Sequence, residues 1–222
     1  YTGEDTLSLH DALPISQSNS GRIFGHVLVQ NYKRMRKAVS ILCLLSAFTT
    51  GLHAEDLNIK NIVLVHGAFA DGSSWADVTS ILLAKGYHVT AVQNPLTSLH
   101  DDVLATERVL ERQSGDVLLV GHSWAGAVIT EAGNAHNVKG LVYLSALVPD
   151  GGESVSDALT RLNAPMTGMA ADNKGVIWLD NPDAFHQVMA NDVPLPRARL
   201  LAAAQQPIAA NAFSEKISQP AW

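Results

Sequence analysis

The chain has 222 residues, 47% apolar and 16% charged, with a formal net charge of -6. That composition supports one globular domain with a sizeable core and excludes disordered and fibrous classes. No basic cluster follows residue 37, which argues against nucleic acid or an anionic membrane surface as partner.

The N-terminal segment does not read as fold. Tyr1 to Ser16 (YTGEDTLSLHDALPIS) resemble translated sequencing-adapter sequence. Residues 17–34 show neither strand alternation nor an extended helical stripe, so 1–34 is expected to be non-native or upstream read-through. Met35 reads as the start. Arg36 and Lys37 form a positive n-region, Ala38 to Phe48 (AVSILCLLSAF) an apolar h-region, and Leu52-His53-Ala54 a cleavage site. These are the parts of a secretory signal peptide over 35–54. Its apolar run falls well short of the roughly 20 residues needed to span a bilayer. Export to the periplasm or the exterior is expected, with no membrane partner after processing. The single cysteine, Cys43, lies in this segment. The mature chain, 55–222, would then have no disulfide, no Cys-ligated metal and no Cys nucleophile.

From Glu55 the pattern alternates. Asn61 to Val65 (NIVLV) is a continuous apolar and β-branched run, read as a strand buried on both faces and hence part of a parallel sheet. It ends in a glycine-containing loop, His66-Gly67-Ala68-Phe69-Ala70-Asp71-Gly72. Trp75, Val78, Ile81 and Leu82 are spaced for one face of a helix, stopped by Gly86. Tyr87 to Val92 is a second strand, broken by Asn94-Pro95. A second helix starts near Ser98, with Asp101 and Asp102 in its first turn, where the macrodipole favours acids. Asp116 to Val120 is the third strand, Trp124 to Asn134 the third helix, and Lys139 to Leu147 the fourth strand. The alternation gives an α/β fold with a mostly parallel sheet and helices on both faces.

After Pro149 the rhythm stops. Residues 150 to about 213 contain no buried-strand run. Short helical patterns, Asp183 to Ala190 and Pro196 to Gln206, are separated by Pro165, Pro182, Pro194 and Pro207. Met166, Met169, Trp178, Phe185, Met189 and Phe213 are scattered among them. The segment reads as a helical lid, with ordinary packing helices as the alternative.

The third strand ends abruptly in Gly121-His122-Ser123-Trp124-Ala125, and a helix follows at once. This is how a nucleophile elbow reads: a strand delivers a serine into a sharp turn facing the next helix N-terminus. The turn forces a strained backbone at Ser123 and small residues two positions to either side. Gly121 and Ala125 meet that need, although the usual pattern, G-x-S-x-G, has glycine at both. A plain Gly-Ser turn is the alternative for the pentapeptide alone.

NIVLVHGAFADGSSW (Asn61 to Trp75), VLLVGHSWAGAVI (Val117 to Ile129) and VKGLVYLSALVPDGGES (Val138 to Ser154) together resemble the α/β-hydrolase superfamily. They are most similar to its small serine esterases, the group of plant methylesterases and hydroxynitrile lyases. The resemblance implies an α/β-hydrolase fold, incomplete at the C-terminus, and hydrolysis of a small apolar ester through an acyl-enzyme. It implies no metal and no cofactor. Ser123 would be the nucleophile. The oxyanion hole would be the N–H of Trp124 with that of Ala68, or alternatively Phe69. Relatives place a triad acid and histidine after two further strands, so both are expected beyond Trp222 and this chain is expected to be inactive as a fragment. Its sheet edge would also lack neighbours, which argues for poor folding.

Within the chain, His186 is an alternative base but reads as a lid residue, and Asp150 is an alternative acid. His66 reads as holding its loop, and His122 as pointing away from the nucleophile. His88, His100 and His136 read as surface residues. A lyase of the hydroxynitrile type is the alternative activity, disfavoured by Gly67 where those enzymes tend to carry a hydroxyl residue. A non-catalytic ligand-binding protein is the alternative of another class. Oligomeric state is not legible.

Overall fold

The computed structural model describes residues 59–164, 166 and 169–222. The adapter-like stretch, the upstream segment and the signal peptide expected over 1–54, Cys43 included, lie outside the described residues.

Four parallel strands form one sheet: β1 (Asn61–Val65), β2 (His88–Ala91), β3 (Val117–His122) and β4 (Val138–Leu144), in the order β2-β1-β3-β4. Side chains alternate across a strand, and the two faces of this sheet carry separate clusters. Val63, Val65, Val117 and Leu119 pack with α2 (Leu99–Glu111) and α3 (Ala125–Ala132). Ile62, Leu64 and Val120 pack with Trp75 and, on α1 (Ala76–Ala84), Leu82. All five residues of β1 are buried, as the unbroken apolar run predicts. Helices therefore lie on both faces.

Two boundaries differ from the sequence reading for physical reasons. Trp75 belongs to a 3-10 turn, Gly72–Trp75, capped by Asp71, whose carboxylate accepts the Ser73 N–H at 2.7 Å. Val78 and Ile81 on α1 are exposed, Ile81 to 58%; the apolar spacing is real, but among the described residues nothing covers that side of the helix. The fourth strand stops at Leu144, three residues early. Ser145 takes φ 42°, and the chain turns so that the Leu147 N–H donates to the Ser123 carbonyl at 2.9 Å. The stretch Ser145 to Val148 is thus a loop held against the elbow.

The segment after β4 is helical, with one addition. α4 (Val155–Arg161) opens on a reciprocal cap between Ser154 and Asp157, α5 (Pro182–Met189) on Asn181, and α6 (Leu195–Ala204) follows. Between and after them, β5 (Val176–Ile177) and β6 (Ile208–Ala209) form a short antiparallel pair. Strands of two residues carry no periodicity, so no sequence pattern announces them. The chain then passes through a 3-10 turn, Ala210–Ser214, and runs back to α3. There the Ala221 N–H donates to the Thr130 carbonyl at 2.9 Å, and the Trp222 ring stands edge-on to Tyr143.

Candidate active site

The C-terminal ends of β1 and β3 bring two loops together. Ser123 follows β3 with φ 54°, a left-handed conformation that costs a non-glycine residue about 1 kcal/mol or more. It persists because the turn is tightly packed. A Cβ on Gly121 would stand 2.7 Å from the Ala125 carbonyl oxygen. On the other side, a Cβ on Gly67 would stand 3.0 Å from the Ser123 Cβ and 3.0 Å from the His122 carbonyl oxygen. The loop after β1 therefore rests directly on the elbow. The methyl of Ala125, at the departure from G-x-S-x-G, is fully buried.

Two loops carry N–H groups near the serine. Trp124 precedes α3, and Ala68 and Phe69 lie in the loop after β1; among the described residues none of these three N–H groups donates to a protein acceptor. Phe69 is itself left-handed, φ 59°. Donors without a protein partner are available to a developing negative charge, and the α3 N-terminus adds its positive dipole end.

The histidines separate by their partners. His66 is 1% exposed. Its Nδ1 donates to the Gly67 carbonyl at 2.9 Å, and its Nε2 accepts the Asn94 N–H at 3.0 Å. Both nitrogens are committed to holding the loop, and burial lowers the ring's pKa. His122 is exposed at the end of β3, with its ring edge-on to Trp75 at 6.4 Å. His186 lies on α5, where its Nε2 bonds the Val193 carbonyl at 3.0 Å. Asp150 is exposed, and its backbone N–H donates to Glu153. Among the described residues no imidazole is hydrogen-bonded to Ser123. No group of three or more His, Cys, Asp or Glu side chains there is placed to hold a metal.

A cavity of about 180 Å³ opens between these loops and the helical segment, lined by Ala68, Phe69 and His122 on one side and Phe185, Met189 and Leu201 on the other. It is mostly apolar. A wider depression of about 690 Å³ lies at the opposite ends of β1 and β2, around Asn61 and His88. The smaller one adjoins the elbow, at the strand ends where open parallel sheets bind ligands.

One residue of the site escaped the sequence reading. Asp102 is 0% exposed. Its two oxygens accept the Leu96 N–H at 2.8 Å and the Trp124 indole N–H at 2.8 Å. The signal was available: Leu99, Asp102, Val103, Thr106 and Leu110 all lie on the buried stripe of α2, so this acid breaks an apolar face, whereas Asp101 takes the Thr97 hydroxyl. Burial pushes the Asp102 carboxyl up to about 6 against the pull of those two bonds, with Asp101 and Glu215 adding repulsion.

That shift fixes a sign. Between an ordinary carboxylate pKa near 4 and about 6, the native state holds a proton that the unfolded chain has released. The stability contributed is fully present below about pH 4 and is lost as pH rises through about 6, on the order of 3 kcal/mol in all. Urea unfolding of wild type and Asp102→Asn should show it. The wild type loses stability relative to the variant by that order between about pH 4 and about pH 7, and a difference independent of pH would contradict the assignment.

A parallel α/β sheet with a left-handed serine in a tight turn after its third strand, and the loop after its first strand packed on that turn, is the arrangement of the hydrolase-type α/β proteins. The family described as "Alpha/beta hydrolase family" matches residues 62–222, and the chain belongs to it. The curated relatives include the carbendazim hydrolyzing esterase of Nocardioides sp. (strain SG-4G), 35% identical over 127 residues, which cover 48% of this chain and 50% of that one. They also include salicylic acid-binding protein 2 of Nicotiana tabacum, 34% identical over 119 residues, covering 47% and 46%. This chain spans about half the length of these relatives or less. Among solved structures, an extracellular alpha/beta-hydrolase from a Paenibacillus species superposes with a TM-score of 0.62 at 23% identity, over 72% of this chain and 71% of that one. That likeness is one of fold.

Proposed function

We propose that this protein is a serine ester hydrolase acting on a small, largely apolar ester through an acyl-enzyme. The observation that carries the reading is Ser123 at φ 54° beside the unspent N–H groups of Trp124 and Ala68. Relatives named as esterases support it. In the reaction, Ser123 Oγ attacks the ester carbonyl carbon and its proton passes to a base. The Trp124 and Ala68 N–H groups take the developing oxyanion. The C–O bond to the alcohol then breaks, and the alcohol leaves with the proton. Water, deprotonated by the same base, cleaves the acyl-serine. The cavity against Phe185 and Met189 suits an apolar acyl or alcohol group, with the helical segment 150–213 as a lid over it. No metal or cofactor enters the scheme.

In this reading neither His66, committed to its loop, nor His186, bonded to Val193, serves as the base. The 222 residues alone are then expected to hydrolyse esters negligibly. Export through residues 35–54 is part of the same proposal. The test is labelling of the complete gene product with a fluorophosphonate, followed by peptide mass spectrometry. The adduct is expected on Ser123; an unlabelled protein that still binds apolar esters tightly would make it a binding protein instead.

A further inference from the structure

The buried carboxylate of Asp102 lies at a junction rather than in an isolated pair. One oxygen holds the indole of Trp124, the residue whose backbone N–H sits beside Ser123. The other holds the N–H of Leu96, a buried residue at φ 58° in the loop after β2. That same Leu96 accepts, through its carbonyl, the N–H of Ala209 on β6 at 2.9 Å. Two residues earlier, the Asn94 carbonyl accepts Gln206 Nε2 at 2.8 Å, and the Asn94 N–H donates to His66 Nε2. The Trp124 ring meets Phe213 edge-on at 5.0 Å. One loop and one side chain therefore join the elbow, the loop after β1 and the returning end of the helical segment.

We propose that Asp102 is a positioning residue for the oxyanion site: it fixes the orientation of Trp124, and through Leu96 it registers the end of the helical segment against the elbow. The proposal rests on the hydrolase reading for its catalytic half. An indole held only by packing can rock within its pocket, whereas one pinned by a hydrogen bond restrains its own Cα and, through it, the backbone N–H of the same residue. A carboxylate accepting from the ring and from an adjoining backbone leaves it one orientation. The structure keeps this group although, among the described residues, its buried carboxyl has no cation paired to it. That is expected where function rather than stability selects the residue.

A double-mutant cycle on the complete gene product tests this, with Asp102→Asn, Trp124→Phe and the pair, using p-nitrophenyl acetate. Asp102→Asn leaves one acceptor oxygen for two N–H donors and sets a donating amide against the other, and Trp124→Phe removes the indole donor, so each is expected to lower kcat about 10- to 100-fold with KM within about 2-fold, the scale of a small misplacement at a reacting centre. The pair should lose no more than the worse single. Near-ultraviolet circular dichroism supplies a readout independent of turnover: the Trp124 band, assigned by difference from Trp124→Phe, should collapse in Asp102→Asn. Unchanged kcat in either variant, or losses that multiply in the pair, overturns the proposal. If Asp102→Asn does not fold, Trp124→Phe alone decides, since it keeps an aromatic ring and breaks the bond. Full activity of Ser123→Ala would instead sink the hydrolase reading, leaving the dichroism result to judge the Trp124 contact.

Discussion

Ser123→Ala in the complete gene product is expected to lower kcat for p-nitrophenyl acetate by about 10⁴- to 10⁶-fold, with KM little changed. That magnitude follows serine hydrolases in general, where loss of the nucleophile leaves only the catalysis supplied by the oxyanion site and substrate binding. The physical grounds here are local. Ser123 is the one residue of the elbow held left-handed, at φ 54°, so its side chain is thrown out of the strand direction toward the loop that carries Ala68. Alanine keeps that backbone and the 3.0 Å approach of Gly67 to the Cβ and removes the oxygen alone. The variant should therefore fold as the wild type does, and its thermal midpoint checks this. Retention of more than about a tenth of kcat would take Ser123 out of the chemistry and with it the acyl-enzyme.

The second large effect is on the fold of the site itself. Gly121→Val is expected to destabilise the protein by about 3 kcal/mol or more and to abolish hydrolysis in whatever fraction folds. A Cβ at 121 would lie 2.7 Å from the Ala125 carbonyl oxygen and 3.0 Å from the carbonyl carbon. Those are backbone atoms of α3, which cannot swing aside as a side chain can. Valine adds two further methyls near Ile129, whose Cδ1 is already 3.0 Å from the ideal Cβ. Overpacking of a filled core costs about 1–3 kcal/mol even where side chains can give way; here β3 and α3 must separate. The elbow then opens, Ser123 leaves its left-handed well, and the Trp124 N–H turns from the site. Urea unfolding and fluorophosphonate labelling read the two consequences. A variant with wild-type stability would show that the turn is looser than its packing implies.

Family and fold were legible because their signals are local. NIVLV and VLLVG are short apolar runs, and burial of both sheet faces needs nothing more than that. The elbow was legible because a strand, a small residue, a serine and a helix start are contiguous in the chain. The loop at His66 was legible as a holder, since a histidine beside a glycine after a strand has few other uses. What the sequence alone determined is therefore the α/β class, the family, Ser123 as candidate nucleophile and the short-helix character of residues 150 to about 213.

Tertiary structure decided the rest, wherever the partners are far apart in the chain. Asp102 reads as a helix-start acid until Trp124, 22 positions on, places its indole on it. The stretch Ser145 to Val148 cannot be told from strand by composition; only the bond from Leu147 to the Ser123 carbonyl makes it a loop. The pairing of β5 with β6 joins segments distant in the chain through two-residue strands. In each case the deciding energy is a contact between segments that no periodicity links, and a buried polar group must find its partner wherever the fold brings one.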